Sequence, residues 1–533
     1  MFKISRPLSE TTLLLLTTLL ILGGHNLGYF HNTLQVYQSQ DDAIFKLALL
    51  SILHGGLIFI TLAMLGFGRL LKALLAVVLV VSAATAYFID TYNIIIDVDM
   101  IDNGIQTDAA EIQDLLSTKQ GLYILLLGLL PAWLVVIVPL KPHTWPQRLG
   151  WRLASILLAI GLMTGSLLGA GDFYASYLRE HANLRYYSNP LSPLFGIITY
   201  IDQEIIGETQ QPFQIIATDA KRSHSPTDKP KLTILVVGET VRADNFGLNG
   251  YHRNTTPLLA KENPISYTNV MSCGTSTAHS LPCMFSILGR KDFTKQQANN
   301  MENALDIVHK AGVQVVWIDN NSDAKGVTDR LTYIDAKSPN NNLVCTPECR
   351  DIGMLGLAEQ WLQPLPEEDD KLVVLHQMGS HGPAYYKRYP KQFEKYTPTC
   401  LSNQLDTCSQ EQIINTYDNT VLYTDYFLAE TIAWLKAKQE DYHVSMLYIS
   451  DHGESLGEGG LYLHGYPYLF APKEQIHVPM VFWANKNNPE YNLNRLVKRR
   501  EQALSHDNLF HTILGWLTID SQVYQADQDF LAP

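Results

Sequence analysis

The chain has 533 residues, with 39 lysines and arginines against 52 aspartates and glutamates, for a formal net charge of −13. That length exceeds what one ordinary hydrophobic core organises. The acidic balance excludes general nucleic-acid binding, which needs basic groups on phosphates, and any anionic substrate must be held by local cations.

Long apolar runs dominate up to about residue 170. Five of them, at 10–29, 45–66, 70–88, 121–140 and 152–170, approach the roughly 20 residues that cross a hydrocarbon core. Lys3 and Arg6 before a Leu-rich run also fit a cleaved signal peptide, but no Ala-x-Ala site follows and four more runs do. Lys3, Arg6, Arg69, Lys72, Lys141, Arg148 and Arg152 fall in one set of flanking segments. Asp41, Asp42, Asp97, Asp99, Asp102 and Asp108 fall in the alternate set. The positive-inside rule then puts the N-terminus in the cytoplasm, and five crossings put everything after about residue 170 outside. The expected division is a five-helix transmembrane domain at 1–170, a bridging segment at 171–230 and a globular domain at 231–533.

The bridging segment is rich in tyrosine and broken by Pro190 and Pro193. Leu194–Ile206 fits helices lying along a membrane boundary, and equally an ordinary connector. Thr218–Lys231 is polar and Pro-containing, and is expected to be an exposed linker.

In the globular part, short apolar runs end in chemically capable residues. Leu232–Val237 runs into Glu239, Val313–Ile318 into Asp319-Asn320-Asn321, Leu372–Leu375 into His376, and Val444–Ile449 into Asp451-His452. Such runs suit buried parallel strands. Met301–Ala311 and Tyr417–Lys438 have helical spacing. The pattern is an open α/β sheet, whose ligands bind beyond the carboxyl ends of the strands.

Glu239, Asp451 and His452 offer oxygen and nitrogen donors of the kind that hold zinc. Each alone has a plainer reading, as a solvated acid or a helix cap. Thr277 lies in a small, hydroxyl-rich loop before an expected helix at Leu281–Leu288. It reads either as a simple N-cap or as a hydroxyl at an anion-binding helix start, activated by metal. Gly453-Glu454-Ser455-Leu456-Gly457 matches the nucleophile-elbow pattern, but Gly457-Glu458-Gly459-Gly460 is a poor helix start, which counts against a serine esterase. All six cysteines follow residue 270, in the local pairs Cys273/Cys283, Cys345/Cys349 and Cys400/Cys408. An even count in an external domain favours three disulfides over metal ligation.

Six segments, in order, resemble the lipid A phosphoethanolamine transferases, the family that includes the mobile colistin-resistance enzymes. They are Val236–Asp244, Ser272–Ala278, Asp319–Gly326, His376–Tyr385, Ser450–Gly457 and Tyr462–Gly465. The resemblance implies an alkaline-phosphatase/sulfatase-like α/β domain with a mainly parallel sheet beside the five-helix domain, in a multi-pass protein of the bacterial inner membrane with a periplasmic catalytic domain. It implies one zinc held by Glu239, Thr277, Asp451 and His452, with Thr277 carrying a phosphoethanolamine intermediate. His381 and His464 correspond to residues near the bound phosphoethanolamine or a second zinc, and either could donate the leaving-group proton, as an imidazole titrates near neutral pH. Asn321 and Lys325 correspond to contacts near the phosphate, and Asn103, Thr107 and Glu111 to contacts with the ethanolamine. The last three are spaced i, i+4, i+8 and would share one face of a helix. The implied donor is phosphatidylethanolamine, the implied acceptor lipid A, and the expected state a monomer. The alternatives are a phosphoethanolamine or phosphoglycerol transferase with another lipid or glycan acceptor, and a membrane sensor with a degenerate site.

Overall fold

The computed structural model describes residues 6–206, 212–223, 229–345, 348–486, 488 and 490–532. Lys3, residues 207–211 of the expected bridge and residues 224–228 of the expected linker lie outside them. The chain forms two compact units: Met1–Ile101 with Leu116–Tyr200, and Asp102–Leu115 with Ile201–Pro533.

The first unit is helical. Its helices are α1 (Glu10–Gly24), α2 (Leu27–Tyr37), α3 (Ala43–Met64), α4 (Gly68–Tyr92), α5 (Val98–Gln106, which runs into the second unit), α7 (Thr118–Ile137), α8 (Trp145–Gly169), α9 (Gly171–Glu180) and α10 (Leu191–Tyr200); α6 (Ala109–Leu115) belongs to the second unit. Four of these, α3, α4, α7 and α8, are each long and apolar enough to cross a membrane. The expected first span is a pair instead: α1 and α2 meet at 55°. Asn26 sits at the break. Its amide donates to Ile21 O at 2.9 Å, which His25 N also reaches, and to Asn189 O at 2.7 Å, tying the bend to the segment before α10.

The second unit is built on an eight-stranded sheet. Its strands are β1 (Lys231–Gly238), β2 (Ile265–Met271), β3 (Gln314–Asp319), β4 (Thr332–Asp335), β5 (Lys371–His376), β6 (His443–Ser450), β7 (His477–Ala484) and β8 (Leu504–Ser505), in the order β8-β2-β7-β6-β1-β5-β3-β4. Only β7 runs against the others. The four expected strands are therefore adjacent and parallel at the centre. Leu235, Val237, Trp317, Val374 and Leu447 are buried in one cluster with Leu305 and Val308 of α12 (Ala304–Lys310) and Phe510 and Ile513 of α14 (Asp507–Trp516). The intervening residues Ile234 and Val236 are also fully buried and point to the other face. The 27-residue α13 (Gln410–Lys436) packs on β6. Helices on both faces force the strands to be apolar throughout, and that is what made them readable.

Register decides the site. Gly238 pairs with Ser450, Val237 with His376, and His376 with Asp319. Strands β6, β1, β5 and β3 thus end level, and Asp451, Glu239, Gln377 and Asn320 leave the sheet along one edge. All six cysteines are paired, as Cys273–Cys283, Cys345–Cys349 and Cys400–Cys408.

Candidate active site

Glu239 follows β1 and is fully buried. The chain turns sharply at Thr240, with φ +54, a left-handed conformation that costs a non-glycine residue about 1–2 kcal/mol. Tyr417 of α13 holds that turn: its hydroxyl donates to Thr240 O at 2.6 Å and accepts from Arg242 N at 3.0 Å. Gly379 (φ +52) lies against Glu239, where a Cβ would meet Glu239 O at 2.8 Å, so only glycine fits.

Asp451 and His452 follow β6 and are also fully buried. His452 Nδ1 lies 2.9 Å from Gly453 O, so Nδ1 carries the proton and Nε2 presents a lone pair. That Nε2 is 3.3 Å from Asp451 Oδ2 and 3.5 Å from Glu239 Oε1. Neither carboxylate oxygen has a hydrogen-bond partner. Burial and the Asp451 carboxylate push Glu239 well up, and burial pushes His452 down to about 4. Two carboxylate oxygens without donors, facing an imidazole lone pair, make an unfavourable cluster by themselves and a good nest for a cation. The ligand atoms of Glu239, Asp451 and His452 all lie within 4.8 Å of one another. The donor set therefore fits a metal such as zinc.

Thr277 completes the cluster. The helix expected at 281–288 is α11 (Thr277–Phe285), so Thr277 is its first residue and Ser276 its N-cap. The Thr277 hydroxyl is 3.1 Å from Glu239 Oε2 and 3.3 Å from His452 Nε2. Its loop is held from several sides. Ser280 Oγ accepts from Gly274 N at 3.0 Å, and Gly465 N donates to Thr275 O at 2.7 Å. His506, which the sequence did not single out, accepts from Cys273 N at 3.0 Å through Nδ1 and donates to Ser450 O at 3.0 Å through Nε2. It ties the threonine loop to the strand that carries Asp451.

Asn321 donates to Glu239 Oε2 at 2.7 Å and to Gln377 O at 2.8 Å, so it orients the cluster carboxylate. The Lys325 ammonium donates to Ser322 O at 2.6 Å and Gln106 O at 3.2 Å. The ring centroids of His464 and His452 are 4.4 Å apart, and those of His464 and His381 5.7 Å. His464 Nδ1 is 2.8 Å from Glu454 Oε2, and Tyr385 donates to the other Glu454 oxygen. Burial opposes the charged ring, but Glu454 raises the His464 pKa overall. Glu454 and Tyr385 also went unread as site residues.

Asn103, Thr107 and Glu111 are not on one helix. The helix breaks at Thr107-Asp108, where Asp108 Oδ1 accepts from Glu111 N at 3.0 Å and caps the next helix. Thr107 Oγ1 donates to Asn103 O at 2.8 Å. Glu111 reaches the site: its Oε1 is 3.1 Å from His381 Nε2. Burial works against ionisation, yet His381, and then His464 and Lys325, hold Glu111 at about 2. Arg388 fixes the arrangement by donating to His381 O at 2.7 Å and to Asp114 of α6. A cavity of about 210 Å³ opens here, lined by Glu111, Asn321, Ser322, Lys337, His381 and Arg388.

Ser455 is not an elbow nucleophile. It sits in a two-residue strand, accepts from Gln475 Nε2 at 2.9 Å, and is followed by turns at Gly457–Gly460 where the elbow needs a helix.

Two family profiles match the chain. The one described as Sulfatase covers residues 231–519, and the one described as Phosphoethanolamine transferase EptA/EptB covers residues 56–205. The phosphatidylethanolamine transferase Mcr-1 of Escherichia coli is 41% identical over 520 residues, which is 96% of this chain and 95% of that protein. The phosphoethanolamine transferase EptA of Salmonella typhimurium is 42% identical over 484 residues, 89% of this chain and 87% of that protein. Among solved structures, the integral membrane protein lipooligosaccharide phosphoethanolamine transferase A (EptA) from Neisseria meningitidis superposes with a TM-score of 0.94 at 33% identity, over 99% of this chain and 100% of that one.

Proposed function

The chain belongs to the EptA/Mcr family of phosphoethanolamine transferases, and on that premise we propose that it moves phosphoethanolamine from phosphatidylethanolamine to a phosphate of lipid A, with Thr277 carrying the group in between. The observation that carries this reading is the Thr277 hydroxyl, set 3.1 Å from Glu239 and 3.3 Å from His452 beside two carboxylate oxygens that lack hydrogen-bond partners.

Glu239, Asp451, His452 and Thr277 Oγ1 would hold one zinc ion. When bound, zinc supplies Lewis-acid charge that favours the deprotonated threonine and offsets charge developing on the phosphate. Thr277 Oγ attacks the donor phosphorus; the new O–P bond forms as the bond to the diacylglycerol oxygen breaks. That oxygen takes a proton, and diacylglycerol leaves. His381 and His464 flank the site, and an imidazole is suited to deliver this proton. A lipid A phosphate oxygen then attacks the same phosphorus, and the bond to Thr277 breaks. Glu111, an ionised carboxylate beside His381, suits the ethanolamine ammonium. Asn103 and Thr107 lie on the same segment and are assigned to that end of the donor. Asn321 and Lys325 are assigned to the phosphate end, Asn321 through its hold on Glu239. The alternative role of His381 and His464, as holders of a second zinc, is separated by metal counting: two zinc ions per wild-type chain and one in His381→Ala would favour it.

In this reading the chain works as a monomer in the bacterial inner membrane. The N-terminus is cytoplasmic, the bent α1/α2 pair makes the first of five crossings, and the catalytic unit is periplasmic. Masking a lipid A phosphate would weaken binding of cationic polymyxins. Mass spectrometry of lipid A from expressing cells tests the proposal. Modified lipid A with the wild-type protein and unmodified lipid A with Thr277→Ala is the expected pair. Unmodified lipid A in both would point to another lipid or glycan acceptor, and modification persisting in the variant would remove Thr277 from its role.

A further inference from the structure

The helical unit holds a second polar cavity, of about 380 Å³, between the start of α1, the end of α7 and the start of α8. It lies far in sequence from the transfer site, and the proposed chemistry does not use it. Lys141, His143, Arg148 and Arg152 line it, with Glu10 as its one acid.

Glu10 is already engaged. Its Oε2 takes Arg152 Nη2 at 3.1 Å, and its Oε1 takes the backbone N–H of Gly68 at 3.0 Å. Arg152 is itself spent on Glu10 and on the carbonyls of Ala63 and Gly66. Arg148 approaches Glu10 only to 3.7 Å, and its buried Nε donates to no acceptor. Lys141 forms no ion pair among the described residues. One acid therefore faces three side-chain cations, and the cavity keeps a net positive charge from Lys141 and the weakly paired Arg148, with Ser9 also in its lining.

Thr11 and Thr12 complete the polar lining, and two apolar side chains complete the wall. Leu15 and Trp151 line the cavity and are 49% and 64% exposed; Trp145, at the start of α8, is 59% exposed. Tryptophan beside lysine and arginine at the ends of apolar helices marks the level of lipid headgroups. A ligand there meets cations at one end and a lipid-facing surface at the other.

We propose that this cavity binds the phosphate headgroup of an anionic phospholipid, with an acyl chain along Leu15 and Trp151. A zwitterionic lipid such as phosphatidylethanolamine suits it poorly, because its ammonium would meet Arg148 and Lys141 while Glu10 is engaged elsewhere. Basic pockets between membrane helices take anionic headgroups for this electrostatic reason. On the orientation proposed above, the lipid belongs to the cytoplasmic leaflet.

The test is native mass spectrometry of the full-length protein in detergent, titrated with phosphatidylglycerol, with phosphatidylethanolamine, and with inorganic phosphate as competitor. The expected result is retention of phosphatidylglycerol over phosphatidylethanolamine, weakened about five-fold by each of Lys141→Gln and Arg148→Gln, as for loss of one near-surface cation. Should Arg148→Gln fail to fold, Lys141→Gln decides alone. Equal retention of the two lipids, or wild-type retention in the variants, overturns the proposal. Displacement of the lipid by millimolar phosphate overturns it in favour of a free-anion site.

Discussion

The sheet edge carries two sets of buried acids, and they are treated in opposite ways. At the ends of β3 and β5, Asp319 accepts from Trp317 Nε1, His376 Nδ1, Asn321 N and Asp323 N. Asp351 beside it accepts from Asn320 Nδ2, Gln377 Nε2, Met378 N and Gly379 N. At the ends of β1 and β6, Glu239 and Asp451 each keep an oxygen with no donor. Despite burial, His376 holds Asp319 below the usual carboxylate range, and burial raises Asp351 against its four donors, whereas burial and Asp451 together drive Glu239 well up. The first set is complete as folded and serves the scaffold. The second is left without such donors, a lack that a bound cation would make good, and Thr277, the proposed nucleophile, sits beside it.

Substitutions should separate the two sets, and the largest effect belongs to the second. Glu239→Gln and Thr277→Ala should each lower transfer at least about 10³-fold in an assay with purified lipids. The metal-free Glu239→Gln protein should melt no lower than metal-free wild type, because burial and Asp451 already disfavour the Glu239 carboxylate that the neutral amide replaces. A melting curve several degrees lower would erase the distinction. Asp319→Ala should do the reverse: removing one partner of the buried Asp319–His376 pair costs about 3 kcal/mol in denaturant unfolding, while zinc still raises the melting temperature.

Chelation sharpens the same contrast. Zinc at 100 times its dissociation constant should stabilise wild type by about 2.7 kcal/mol, read as a melting shift that Asp451→Asn abolishes and Asp319→Ala retains. A shift surviving in Asp451→Asn would place the metal elsewhere. The smallest effect is expected for His506→Ala, which touches no ligand but holds the Cys273 loop to Ser450. By analogy with outer partners of metal ligands, zinc affinity should fall about 10-fold, and an unchanged affinity would reduce His506 to a packing residue.

How far all this could be read from the sequence follows the same division. Strands buried on both faces are unbroken apolar runs, so four of them and their terminal residues stood out. Strand β7 did not, because Pro479 interrupts it. The register shifts between Val478 and Met480 absorb that proline beside β2 while β6 pairs from Met480 onward. Of the donors that distinguish Asp319 from Glu239, those from Trp317, Asn321 N and Asp323 N are local, but the ion-pair partner His376 lies on another strand and leaves no mark beside Asp319. His506 and Glu454 escaped for the same reason, since their partners lie on other elements. The break at Thr107-Asp108 did carry a signal: aspartate is a strong N-cap, and the i, i+4, i+8 spacing of Asn103, Thr107 and Glu111 hid it.

The central claim, that Thr277 is poised at this starved cluster to carry the transferred group, has a direct test. The full-length protein is incubated with phosphatidylethanolamine and zinc without acceptor, and its mass is measured and mapped by peptide. The account predicts a gain of one phosphoethanolamine on Thr277, matched by released diacylglycerol and absent after chelation. Diacylglycerol release with no adduct, or an adduct on another residue, would contradict it.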